Sequence, residues 1–223
     1  MKIALCLSGQ PRGLVKAHSY VKRNLLDKYD VDVFCHTWSN ENDISKLYSP
    51  ISIKEDPPSL LQVSEHYKTR DPINHPARNT FCFFYSIMEA DKLRRNSGKN
   101  YDVVIRSRYD YAIARSIDFS QFDMSSIWVP MVKIPMPTGF LCTDQFAFSN
   151  IENMEAYSNV YPSIDDYYNS GIPINGEDLL SHHIRNNKIS VSYVDMWDPF
   201  FGGKYNFGPH SLVRDDMEVW KSK

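Results

Sequence analysis

The sequence is poor in the residues that build metal centres and redox motifs. Its four cysteines, at 6, 35, 82 and 142, form no CxxC and no Cys/His spacing, which removes the usual zinc and dithiol patterns. Cys6 and Cys35 lie in apolar runs, where a free thiol behaves as a small hydrophobe. Neither GxGxxG nor a Walker loop occurs, so dinucleotide oxidoreductases and P-loop ATPases lose support. The net charge of −2 gives no basic field for duplex nucleic acid. Long hydrophobic runs are missing as well. The opening "MKIALCLSGQPR" has five apolar residues in a row, too few for a secretory leader, and no stretch nears the ~18–20 of a membrane span. The expectation is a cytoplasmic chain with reduced thiols and no membrane span.

What is present is ordinary in amount and informative in order. With 42% hydrophobic and 23% charged residues over 223 positions, the chain can bury the core of one large domain. Aromatic residues are plentiful, with 14 Tyr, 12 Phe and 4 Trp; they serve either as core or as stacking faces for sugars or bases. "KIALCLS" (2–8) and "VDVFCHT" (31–37) are continuous apolar runs, as strands covered on both faces require. Between them "GQPRG" breaks the chain and 14–28 has helical spacing. Strand, helix, strand at this length predicts a parallel sheet.

Further along, 51–58 reads as a short strand, 59–67 as a short helix and 68–78 as a loop. The apolar spacing of 79–95, with basic residues in its last turn, predicts a helix. "YDVVIRSRYDYAI" (101–113) follows as a strand. Strands are expected at 125–130, 143–150 and 189–195, helices at 150–161 and 174–187, and a Pro/Gly loop at 131–142. The fold class is α/β: one domain with a mainly parallel central sheet flanked by helices, and a mixed second half.

Ligands of open α/β sheets collect at the carboxyl ends of the strands. Three polar clusters fall there. Ser8, Gly9, Gln10 and Arg12 precede a helix start, which suits a base, ribose or phosphate, although an ordinary strand-to-helix turn explains them equally. His36 and Trp38 end the second strand; they hold a base or sugar, or they are a satisfied histidine and a packing indole. Arg106, Arg108 and Asp110 alternate along the 101–113 strand and share a face. Two guanidiniums can neutralise a diphosphate, and a carboxylate beside it can hold magnesium or manganese. The competing reading is an Arg–Asp ion-pair network that closes the sheet edge.

The segments "MKIALCLSGQPRG", "DVFCHTW", "YDVVIRSRYDYAI", "TDQFAFSN" and "GEDLLSHHIRNN" resemble, in order and spacing over nearly the whole chain, small GT-A-type glycosyltransferases and glycosyltransferase-like proteins of large DNA viruses, phages and bacteria. The resemblance implies a nucleotide-diphospho-sugar transferase domain, with a nucleotide-binding half (1–113) and an acceptor-side half (114–223). It implies that Ser8, Gly9, Gln10 and Arg12 contact the nucleotide, and it maps the metal-binding DxD to Arg108-Tyr109-Asp110. Arg108 replaces the first Asp of that motif, leaving Asp110 as the one acid for a divalent cation (Mn or Mg), or Arg108 itself to supply the positive charge. An inverting enzyme needs a base beside the attacking hydroxyl; Asp144 is the first candidate and Glu177 the second, with Asp178 beside it. Helix capping is the other role open to the latter two. The tail 195–210, aromatic and glycine-rich with His210, covers the donor or packs as a strap.

The function these features predict is sugar transfer from a nucleotide-sugar, UDP-linked in the first instance, to a glycan or glycoconjugate hydroxyl. A non-catalytic glycan- or nucleotide-binding relative is the alternative, motivated by Arg108. Another nucleotide-dependent α/β enzyme, such as a nucleotidyltransferase, shares the same phosphate logic. No nucleic-acid partner is expected, and nothing in the sequence sets an oligomeric state.

Overall fold

A computed structural model describes residues 1–69, 76–130 and 142–194. Strand β1 (Lys2–Gly9) is buried continuously from Ile3 to Ser8, as its unbroken apolar run requires. Helix α1 (Leu14–Val21) runs into a π-helical turn over Lys22–Leu26, and Leu14, Ala17, Val21 and Leu25 form its buried stripe. Strand β2 (Asp30–Thr37) then lies parallel to β1.

Helix α2 (Glu41–Tyr48) was not among the expected elements. Its signals are short: Glu41 and Asp43 in the first turn, and Ile44 and Tyr48 buried four residues apart. Strand β3 (Ser52–Glu55) follows. The helix expected over 59–67 does not form. Its backbone is claimed by distant side chains instead. The Leu61 carbonyl accepts from Arg78 Nε at 3.1 Å, and the His66 carbonyl accepts from the Tyr168 hydroxyl at 3.0 Å. Val63 and Tyr67 still reach the core.

Helix α3 (Ala77–Asn96) leads to strand β4 (Val103–Arg108). β4 stops five residues before the expected end, because the chain turns at Tyr109–Asp110 and Tyr111 N–H bonds back to the Arg108 carbonyl at 3.3 Å. Strands β5 (Ile127–Pro130) and β6 (Phe146–Ser149) follow, then helix α4 (Ile151–Ser158), capped by the Asn150 side chain. Helices α5 (Ile164–Asn169) and α6 (Gly176–Asn186) precede the edge strand β7 (Val191–Val194). The tail 195–210 and most of the 131–142 loop lie outside the described residues. Among the described residues no helix is long and apolar enough to cross a membrane.

The seven strands form one mixed sheet in the order β3-β2-β1-β4-β6-β5-β7. β6 is antiparallel to β4 and β5, while the other pairings are parallel. Six strands therefore end at one edge of the sheet, and β6 begins there. Side-chain alternation splits the core in two. Ala4, Cys6, Phe34, Val104 and Ala147 face α3, α4 and α6, whereas Ile3, Leu5, Leu7, Val103, Ile105 and Phe148 face α1, α2 and the segment after β4.

Phe148 anchors the second layer. It is fully buried, stacked on Trp128 at 6.4 Å between centroids and edge-on to Phe119 at 5.1 Å. Phe148→Ala should cost about 3–5 kcal/mol of stability, read as a lower denaturation midpoint at unchanged m-value; a loss under about 1 kcal/mol would contradict this packing.

Candidate functional site

The carboxyl edge is assembled by strand register. On the α3 face, Lys54 of β3, His36 of β2, Ser8 of β1 and Arg108 of β4 stand opposite one another in one row. One step further inside, Cys6, Arg106 and Ala147 are aligned. The two arginines share a face, as the alternation of the strand requires, but they have different surroundings.

Arg106 is interior, at 1% exposure. Its neighbours across both ladders are the small side chains of Cys6 and Ala147, which leave room for a guanidinium. Phe83 of α3 lies beneath it, with 4.8 Å from Cζ to the ring centroid. Its Nη1 donates to the carbonyl of Asp144, while Nε and Nη2 have no partner among the described residues. Desolvation lowers its pKa, opposed by the nearby Tyr157 and Asp144. Arg106 therefore braces the chain just before β6 and does not stand at the mouth of the site.

Arg108 is the arginine at the mouth, with a side chain 23% exposed. Its Nε and Nη2 donate to the two oxygens of Asp110, each at 2.8 Å. Asp110 lies past the strand end in the turn, so the pair comes from the chain folding back rather than from strand alternation. Burial alone would lower the Arg108 pKa, but Asp110, with Asp144 and Glu177, raises it overall. The Arg–Asp network expected as one of two readings is present. It also bears on the cation. Both Asp110 oxygens are occupied by Arg108, and among the described residues no group of three or more His, Cys, Asp or Glu could hold a metal ion.

Asp144 and Glu177 converge although 33 positions separate them. Asp144 precedes the antiparallel strand β6, which brings it beside the end of β4. Helix α6 starts against it: a Cβ built on Gly176 would lie 2.5 Å from Asp144 Oδ2, so a side chain at 176 would require that carboxylate to shift. The Asn175 side chain caps α6, accepting from Glu177 N–H at 3.0 Å and Asp178 N–H at 3.3 Å. The capping role considered for Glu177 and Asp178 thus belongs to Asn175. Glu177 is pushed up to about 7, first by the charge of Asp144 and then by burial, with Arg108 opposing.

The loop residues are arranged more loosely. The Ser8 hydroxyl is buried between His36 and Arg108 and has no hydrogen-bond partner among the described residues. Gly9 adopts φ 110°, a region that favours glycine, and a Cβ there would meet nothing within 4 Å. Gln10 and Arg12 are exposed and bonded to each other through their side chains. Gly13 opens α1 in a left-handed conformation with no side-chain cap. His36 is enclosed: Nδ1 meets Ser86 Oγ at 2.6 Å, Nε2 meets Asp56 Oδ2 at 3.1 Å, and Trp38 packs edge-on against its ring. Desolvation lowers its pKa, with Asp56 opposing. That is the satisfied histidine of the packing reading.

Sequence reasoning missed the partners of His36. Lys54 joins Asp56 and Glu89, each at 2.8 Å, and alternation along β3 was the available signal. A groove of about 350 Å³ between α3 and α4 is lined by Asp91, Arg95, Glu152 and Glu155, and by none of the candidate residues. No protein-family model matches the chain, and no curated protein matches it.

The carboxyl pair makes stability depend on pH. Glu177 has a folded pKa of about 7 against an ordinary 4.5. Its contribution is therefore complete below about pH 4.5 and is lost as pH rises through 7. The loss is at most about 3 kcal/mol, and Glu177→Gln should flatten that part of the stability profile. Asp144→Asn should return Glu177 toward the usual carboxylate range, read by carbon-13 carboxyl titration. An unchanged Glu177 midpoint would contradict the pairing.

Proposed function

We propose that the protein transfers a sugar from a nucleotide-sugar donor to a hydroxyl of a glycan or glycoconjugate, with a GT-A-like arrangement of its sheet. The observation that carries this reading is the convergence, at one edge, of a serine without a partner among the described residues beside a glycine turn, a part-exposed arginine and a carboxyl pair. The sheet supports it as well: parallel through β3, β2, β1 and β4, then mixed beyond.

In this reading the diphosphate lies across Ser8, Gly9, Gln10 and Arg12, the helix start of α1 favouring its charge. Arg108 turns one face of its guanidinium to the leaving phosphate, stabilising the charge that develops there. Asp110 holds that guanidinium in place. Arg108 supplies the positive charge, and no step passes through a metal. Arg106 fixes Asp144 from within.

The base is Glu177. A base works best when its pKa lies near the working pH, and Asp144 supplies the charge that sets it. This inverts the order expected from the sequence, where Asp144 came first. The reversal rests on Gly176, which lets α6 close onto Asp144.

Arg108→Ala should weaken binding of a nucleoside diphosphate by about tenfold or more, as loss of a charge-assisted hydrogen bond of roughly 1.5–3 kcal/mol implies. Calorimetry in chelator should give the same affinity as in manganese. Normal binding by a variant with a much lower melting point would assign Arg108 to structure alone.

Glu177→Gln should retain donor binding and lose transfer by ~10²–10⁴-fold. Since the base acts when ionised, the rate should rise through about pH 7. In Asp144→Asn that rise should move to lower pH. Binding without any transfer or donor hydrolysis, across a broad acceptor panel, would favour the non-catalytic relative; release of pyrophosphate would favour a nucleotidyltransferase.

A further inference from the structure

Helix α1 and the π-helical turn after it present a basic face that nothing among the described residues covers. Residues 10–28 carry five Lys/Arg against one Asp, in a chain whose net charge is −2. Arg12, Lys16, Lys22, Arg23 and Lys28 are all exposed. Asp27 pairs with Lys22. Arg12 is bonded to the neutral Gln10, and Arg23 lies 5.2 Å over the Tyr20 ring. Among the described residues no carboxylate forms an ion pair with Arg12, Lys16, Arg23 or Lys28.

The face is ordered along the helix. Leu14, Ala17 and Val21 are buried against the sheet, so Val15, Lys16 and Ser19 share the opposite side of the helix, with Arg12 just before it and Arg23 in the turn that follows. Val15, next to Lys16 in the chain, is 71% exposed, the most exposed large hydrophobic among the described residues. A valine displayed that far gains nothing from water, and four of the five cations of this segment have no carboxylate partner among the described residues.

We propose that this face docks the protein on an anionic membrane surface. The unpaired cations are attracted by negatively charged headgroups within a Debye length. Val15 supplies an apolar contact at the headgroup boundary. Nucleic acid would satisfy the cations but leave the valine without a role. Because α1 begins directly after the Gln10–Arg12 turn, docking brings the carboxyl edge of the sheet close to the bilayer. The surface chemistry is the same whether or not the site transfers sugar.

Co-sedimentation of the full chain with unilamellar vesicles tests this. Binding is expected to vesicles containing phosphatidylglycerol and not to pure phosphatidylcholine, and it should fall by roughly tenfold or more near 1 M salt. Reversing two unpaired cations, Lys16→Glu with Arg23→Glu, should weaken binding by roughly tenfold or more. Val15→Ser should weaken it several-fold at unchanged salt dependence. Arg12 is left intact because it belongs to the candidate site, and nucleotide binding is measured for each variant so that docking is read separately. Exposed positions allow the fold to survive, which thermal melting confirms for each variant. Failure of the wild type to bind anionic vesicles would overturn the docking face. So would equal binding by the double reversal, or tighter binding to duplex RNA than to the vesicles.

Discussion

Arg106 is a cation deprived of water, and the centre of the sheet is shaped around it. A buried guanidinium is costly unless hydrogen bonds and packing compensate. Here Cys6 and Ala147 give it space, the Phe83 ring meets its face, and the Asp144 carbonyl accepts from Nη1. That last contact ties β4 to the start of β6. Because β6 runs against its neighbours, its first residues stand where the other strands end. Asp144 is therefore delivered to the carboxyl edge by topology, and held there by an arginine that never reaches the surface.

The charges at this edge are nearly balanced. Arg106 and Arg108 carry two positive charges, and Asp110 and Asp144 carry two negative ones. Glu177 is an extra acid in the same space, and it responds by holding its proton up to about pH 7. Gly176 makes the crowding possible, since any side chain there would push Asp144 away. Like charges forced together in a part-buried site give one group that ionises late, and such a group is suited to moving protons near neutrality.

The sequence made the frame legible where a single period dominated. The apolar runs of β1 and β2 and the helical spacing of α3 were readable because burial on both faces, or on one stripe, leaves a repeating mark. The shared face of Arg106 and Arg108 followed from alternation. Other features depended on partners far along the chain. The 59–67 segment has helical spacing, yet Arg78 and Tyr168 claim its carbonyls. His36 looked available until Ser86 and Asp56 took both ring nitrogens. The meeting of Asp144 and Glu177 needed the direction of β6, which no local pattern encodes. Only Asn175-Gly176 hinted at it: a good cap followed by a residue that weakens helices, and so one retained for close approach.

The central claim is that a diphosphate binds at the carboxyl edge, between the Ser8–Arg12 turn and Arg108. The most direct measurement is a crystal structure of the protein with uridine diphosphate bound. The account predicts phosphate oxygens within hydrogen-bonding distance of the Ser8 hydroxyl and the Arg108 guanidinium, with Arg108 still held by Asp110 and no metal needed between them. A diphosphate found in the groove between α3 and α4, or one that leaves Ser8 and Arg108 untouched, would contradict it.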